Sequence, residues 1–214
     1  MFTYLLALKM DMNKQFQTKE QLLHRIQEGI SFGDGDEYTI SDYLKYSHEQ
    51  VKHWYAENYA RTNKVMNPQN IEKDYWDIIE SSDQEYYVEY GNDVDTHVFG
   101  SGFPKSERGR CLGSEIDIDK FHLPEPLFGT EDYYKETYWN PNNIPCCDES
   151  ILRHVKVGIN GINVPWLYFG SIFATFCYHT EDNDFYSFNY HHYGMIQHTL
   201  HFIMIVFNSL HHNN

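Results

Sequence analysis

Between Pro165 and Gly194 the chain reads PWLYFGSIFATFCYHTEDNDFYSFNYHHYG, a block dominated by residues that favour pleated strands. Two β-type runs stand out, Ser171 to His179 and Phe185 to His191, joined by the turn-forming Thr180-Glu181-Asp182-Asn183-Asp184. Side chains alternate faces along a strand, so His179 and Glu181 are expected on one side and Thr180 on the other. One imidazole and one carboxylate on a common face make two-thirds of a facial triad for non-haem Fe(II). The third ligand, a second histidine, has to come from elsewhere in the chain.

A length of 214 residues predicts one domain with a real core. Aromatics make up 17% of the residues, 18 of them tyrosine, which again suits a β-rich fold. The formal charge of −15 argues against nucleic acid as the main partner, because phosphate binding requires a basic patch; it suits a basic peptide better. Cys111, Cys146, Cys147 and Cys177 form no CxxC pair, so a structural zinc site is not expected. Cys146 and Cys147 read as ordinary thiols in a reducing compartment. The apolar run from Phe2 to Leu8 lacks a basic flank and a small-residue cleavage site, and Phe202 to Phe207 is too short to span a bilayer.

Thr18, with Gln21 three residues on and Gly29 beyond, predicts a capped helix. Gly33-Asp34-Gly35-Asp36 predicts a turn. Ser41 to Tyr59 shows helical spacing at Leu44, Val51 and Tyr55. Asn67-Pro68 predicts the start of a helix that runs to about Glu80 and buries Ile71, Tyr75, Trp76 and Ile79. Tyr86 to Gly91 reads as a strand, Gly100 to Pro104 as a tight loop, Lys105 to Gly113 as a solvated polar segment, and Glu149 to Val155 as a short helix. Tyr133, Tyr134 and Trp139 read as packing residues.

An ordered set of segments then carries a family resemblance. These are Tyr38-Thr39, Ile71 to Trp76 (IEKDYW), Val88 to Asp93 (VEYGND), Phe99 to Pro104 (FGSGFP), Trp139 to Asn143 (WNPNN) and the block from Pro165 to Gly194. Together they resemble the JmjC-domain histone lysine demethylases, most closely the JARID-like subfamily, over about residues 32–194. The resemblance implies a β-rich α+β fold with N-terminal helices around a partial double-stranded β-helix, the jelly-roll-like cupin-type JmjC core. It implies Fe(II) as cofactor, with 2-oxoglutarate and O2 as cosubstrates, in an N-methyl hydroxylation that releases formaldehyde. His179 and Glu181 match iron ligands; Tyr168, Phe176, Ser187 and Asn189 match positions around 2-oxoglutarate; Tyr90 matches an aromatic residue near the reacting groups. The partner implied is a histone three tail, with lysine four as substrate, in the nucleus; other chromatin proteins are further implied partners.

Past Gly194 the resemblance stops. Where the family places a lysine that pairs with 2-oxoglutarate, this chain has Gln197, and no counterpart of the third iron ligand follows. The expected division is a helical extension at 1–31, an incomplete JmjC domain at 32–194 and an unrelated, disordered or artefactual tail at 195–214. His198 and His201 share helical spacing and are candidates for a substitute third ligand. The adjacent His191 and His192 point apart on a strand and read as packing or surface residues. The alternative to an active demethylase is a catalytically inactive JmjC module that contacts chromatin proteins, with unpaired sheet edges that predict poor solubility.

Overall fold

A computed structural model describes residues 10–23, 31–81, 85–106, 127–176, 179–194 and 202–209, with the backbone alone at 81, 193–194 and 202–209. The first described element is β1 (Gln15–Leu23), a strand and not the helix expected from Thr18 to Gly29. The reason lies in burial. Thr18, Gln21 and Leu23 have no exposed surface, and a helix cap cannot compete with a position inside a sheet. Thr18 Oγ1 donates to the Asp36 carbonyl at 2.7 Å, and Gln21 Nε2 to that of Thr175 at 2.7 Å. Both predicted cap residues therefore serve tertiary contacts.

β2 (Ser31–Thr39) pairs antiparallel with β1. Gln17 faces Glu37 and Lys19 faces Asp34, so two residues of β1 span three of β2. The Gly-Asp-Gly-Asp segment expected as a turn supplies this bulge within a strand. Thr39 then caps α1 (Ile40–Asn58), its Oγ1 accepting from the Asp42 amide at 3.1 Å, an arrangement worth about 1 kcal/mol. α2 (Pro68–Ser81) begins where Asn67-Pro68 predicts, with Asn67 Oδ1 accepting from the Asn70 amide at 2.9 Å. It buries Ile71, Ile78 and Ile79, but Trp76 remains 43% exposed, contrary to expectation.

β3 (Tyr86–Asp95) runs into the single turn α3 (Thr96–Phe99); α4 (Glu131–Glu136) follows, and a 3-10 turn at Ile151–His154 replaces the helix expected there. β4 (Trp166–Gly170), β5 (Tyr186–Gly194) and β6 (Phe202–Ser209) complete a six-stranded antiparallel sheet in the order β2-β1-β3-β4-β6-β5. Two expectations change here. Residues 171–176 are not a strand; the chain leaves the sheet after Gly170, with Phe173 at φ 67°. Residues 202–209, expected in a disordered tail, form β6 and pair with both β4 and β5. A run of six apolar residues suits a strand with neighbours on both sides.

The strands separate two aromatic-rich clusters. Leu167 and Phe169 alternate with Tyr168 along β4, and they fall into different clusters, as strand alternation requires. One cluster joins Phe16, Ile40, Tyr43 and Phe99 to Leu167 and Phe169; the other joins Leu23, Ile71, Val88, Tyr90 and Phe173 to Tyr168. Each fully buried apolar side chain contributes about 1.5–3 kcal/mol, so this centre holds the sheet. Cys146 is disulfide-bonded, which corrects its reading as an ordinary thiol, while Cys147 is free; spacing alone fixes no pairing. Among the described residues, no helix is long and apolar enough to cross a membrane.

Candidate active site

Gly91 shows why the site can form beside β3. A Cβ on it would lie 2.6 Å from the Phe16 ring and 3.1 Å from the Phe169 Cβ, so only glycine fits between them. Just beyond, β3 bulges. Gly91 pairs with Phe169 and Val94 with Leu167, leaving Asn92 and Asp93 outside the ladder. Asp93 adopts φ 55°, a left-handed conformation that aspartate tolerates better than most residues.

This bulge opens into a cavity of about 560 Å³ lined by Tyr90, Asp93, Trp166, Tyr168, Phe176, His179 and Glu181, among others. Tyr90 and Tyr168 are almost wholly buried, and their rings stack at 6.2 Å and 26°. Phe176 meets Tyr168 edge-on at 6.1 Å, and His179 meets Phe176 edge-on at 5.1 Å. Four rings thus run in series from the sheet to the imidazole, in geometries favoured by ring quadrupoles. His179 Nε2 lies 3.6 Å from Glu181 Oε1, with the His179 side chain half exposed and that of Glu181 19% exposed. No strand holds this pair. Both residues lie in irregular chain before a 3-10 turn at Asp182–Asp184.

The Tyr168 hydroxyl donates to Asp93 Oδ1 at 2.8 Å, and Asn92 Nδ2 donates to Asp93 Oδ2 at 3.0 Å. Burial raises the Asp93 pKa from its ordinary value, and these two donors oppose the rise. Burial, followed by the Asp93 charge, pushes the Tyr168 phenol far above its ordinary value, so it stays a neutral donor. Apart from His179 and the two tyrosines, the ionisable side chains on the described wall are carboxylic acids: Asp93, Glu181 and Asp182.

The structure therefore brings Tyr90, Tyr168, Phe176, His179 and Glu181 around one cavity. It does not bring Ser187 and Asn189 there. Both are exposed on β5, with Asn189 Nδ2 and Ser187 Oγ 3.5 Å apart, and neither lines the cavity. His192 lies on the same strand beside Tyr190; its Nδ1 is buried, and burial lowers its pKa. Trp139, expected to pack, is 75% exposed. Gln197, His198 and His201 lie outside the described residues. Asp93 was missed as a site residue, although Gly91-Asn92-Asp93 inside a strand pattern is a bulge signal.

His179 and Glu181 supply the neutral nitrogen and anionic oxygen that a ferrous ion prefers. As two donors they fit such an ion; among the described residues no group of three His, Cys, Asp or Glu completes the set.

Residues 166–198 match the family described as JmjC domain, hydroxylase. Lysine-specific demethylase JMJ17 of Arabidopsis thaliana is 36% identical over 174 residues, covering 81% of this chain and 13% of its own length. Lysine-specific demethylase JMJ703 of Oryza sativa subsp. japonica is 35% identical over 167 residues, 78% of this chain and 12% of its own length. Lysine-specific demethylase 5D of Homo sapiens is 34% identical over 161 residues, 75% of this chain and 10% of its own length. The chain thus spans a small part of each of these relatives.

Proposed function

Because this chain belongs to the JmjC-domain family of lysine-specific demethylases, we propose that it carries part of the site of an Fe(II)- and 2-oxoglutarate-dependent histone demethylase acting on a methylated lysine. The finer reading is lysine four of histone three, in the nucleus, with the six-stranded sheet forming one wall of a cupin-type double-stranded β-helix. The observation that carries the proposal is the His179–Glu181 pair, 3.6 Å apart on the wall of a cavity, with the His179 ring joined to the sheet through Phe176, Tyr168 and Tyr90.

His179 Nε2 and Glu181 Oε1 would hold the metal. The ferrous ion, when bound, supplies the activation of dioxygen by which an N-methyl group is oxidised and leaves as formaldehyde. The chain's own residues prepare that event. Tyr90, Trp166, Tyr168 and Phe176 present apolar ring surface, and Asp93, Glu181 and Asp182 add negative charge, a combination suited to a methylated ammonium group. The buried faces of Tyr90 and Tyr168 exclude water from the inner end. In this reading Tyr168 and Phe176 contact 2-oxoglutarate, with Tyr90 beside the reacting groups. Ser187 and Asn189 belong to the same cosubstrate pocket only if β5 approaches the cavity in the working protein.

The second reading, an inactive module that contacts chromatin proteins, is favoured by the two-donor set among the described residues. Formaldehyde release from a trimethyl-lysine histone peptide, with Fe(II) and 2-oxoglutarate supplied, separates the two. Turnover that disappears in His179→Ala supports the demethylase. Absence of turnover, with peptide binding retained, supports the module.

A further inference from the structure

We propose that Asp93 is a positioning residue: by accepting the Tyr168 hydroxyl it fixes the ring series Tyr90, Tyr168 and Phe176, and through Phe176 the orientation of the His179 imidazole toward Glu181. The inference deepens the demethylase reading, and its functional meaning rests on that reading.

Three observations at separate levels converge on Asp93. At the backbone, it occupies a left-handed conformation at φ 55° in the middle of a strand. Such conformations persist where the surroundings over-determine them, and they gather at functional sites. In the ladder, the bulge between Gly91 and Val94 removes Asn92 and Asp93 from pairing with β4, which frees their side chains to meet the cavity. In hydrogen bonding, the two carboxylate oxygens have different tasks. Oδ2 accepts from Asn92 and ties Asp93 to its own bulge; Oδ1 reaches across to Tyr168 on the neighbouring strand.

Tyr168 is the link that makes this bond matter. Its ring stacks on Tyr90 and receives the edge of Phe176, whose own ring packs against His179. Phe176 is 41% exposed and the His179 side chain 46% exposed, and the ring contacts join both to the buried Tyr168. A tyrosine free to slide along Tyr90 would release Phe176 and then the imidazole. Outer residues that orient a ligand in this way commonly change metal affinity on the order of tenfold to a hundredfold.

The test uses the full chain, labelled with 13C-histidine and free of metal, with the His179 ring signal assigned by its loss in His179→Gln. Asp93→Gly removes the carboxylate while accepting the left-handed backbone, so the fold is retained. Tyr168→Phe removes the hydroxyl and leaves the bulge intact. Each variant is expected to move the His179 signal toward that of an unstacked imidazole, and the double variant to move it no further. Asp93→Asn keeps an acceptor for Tyr168 and leaves the signal in place. An unmoved signal in Tyr168→Phe, or additive shifts in the double variant, overturns the proposal. Titration with Co(II) provides the second arm: Asp93→Gly is expected to weaken binding about tenfold with an unchanged melting midpoint. Wild-type chain that fails to bind Co(II) counts against the iron reading, and the His179 signal then decides the role of Asp93 alone.

Discussion

β4 and β5 belong to one sheet, one strand apart, yet their side chains meet different surroundings. Along β4, Leu167, Tyr168, Phe169 and Gly170 are all buried. Along β5, Ser187 and Asn189 are exposed, Tyr186 is 51% exposed, and none of the described side chains is buried. β6 separates the two by pairing with both. The candidate site takes Tyr168 from the buried strand and Tyr90 from its buried neighbour, while its two proposed metal donors lie in irregular chain that leads into β5. Precision is thus stored in the half of the sheet packed on both sides and passed outward through rings. On the β5 edge Tyr190 meets Phe103 edge-on at 5.1 Å, while Ser187 and Asn189 stay exposed.

That contrast gives graded expectations. Phe169→Ala removes a ring that stacks on Phe16 at 4.7 Å and is 1% exposed, and it should cost about 3–5 kcal/mol in urea denaturation. Gly91→Ala drives a methyl group against Phe16 and should cost about 1–3 kcal/mol, with Tyr90 fluorescence or near-ultraviolet dichroism reporting the shift. Thr39→Ala removes the cap of α1 and should cost about 1 kcal/mol, readable as a lower thermal midpoint. Ser187→Ala on β5 should stay within about 0.5 kcal/mol of the parent. Equal losses for Phe169→Ala and Ser187→Ala would erase the distinction between the two strands.

Much of this was legible in the residues where local chemistry and tertiary packing agree. Asn67-Pro68 starts α2 because the cap and the proline answer purely local needs. The signal failed where the two disagree. Thr18 and Gln21 have capping-box spacing, but hydrogen bonds to Asp36 and Thr175 hold them in β1. The run from Ser171 reads as a strand, yet the chain turns at Phe173, which is buried against Trp54 and Tyr86 from distant elements. Strand alternation points to the His179–Glu181 pair, yet the two residues lie close together in irregular chain ahead of a 3-10 turn. Asp93 escaped notice because its role depends on Tyr168, 75 positions away in sequence.

As the proposed metal donors, His179 and Glu181 should act together on a wall fixed by the buried strands. Visible absorption during Co(II) titration of the full chain tests it most directly. Saturable binding is expected in the parent and should weaken strongly in both His179→Ala and Glu181→Gln, with the thermal midpoint of the metal-free chain unchanged. Binding of equal strength in all three chains would contradict it.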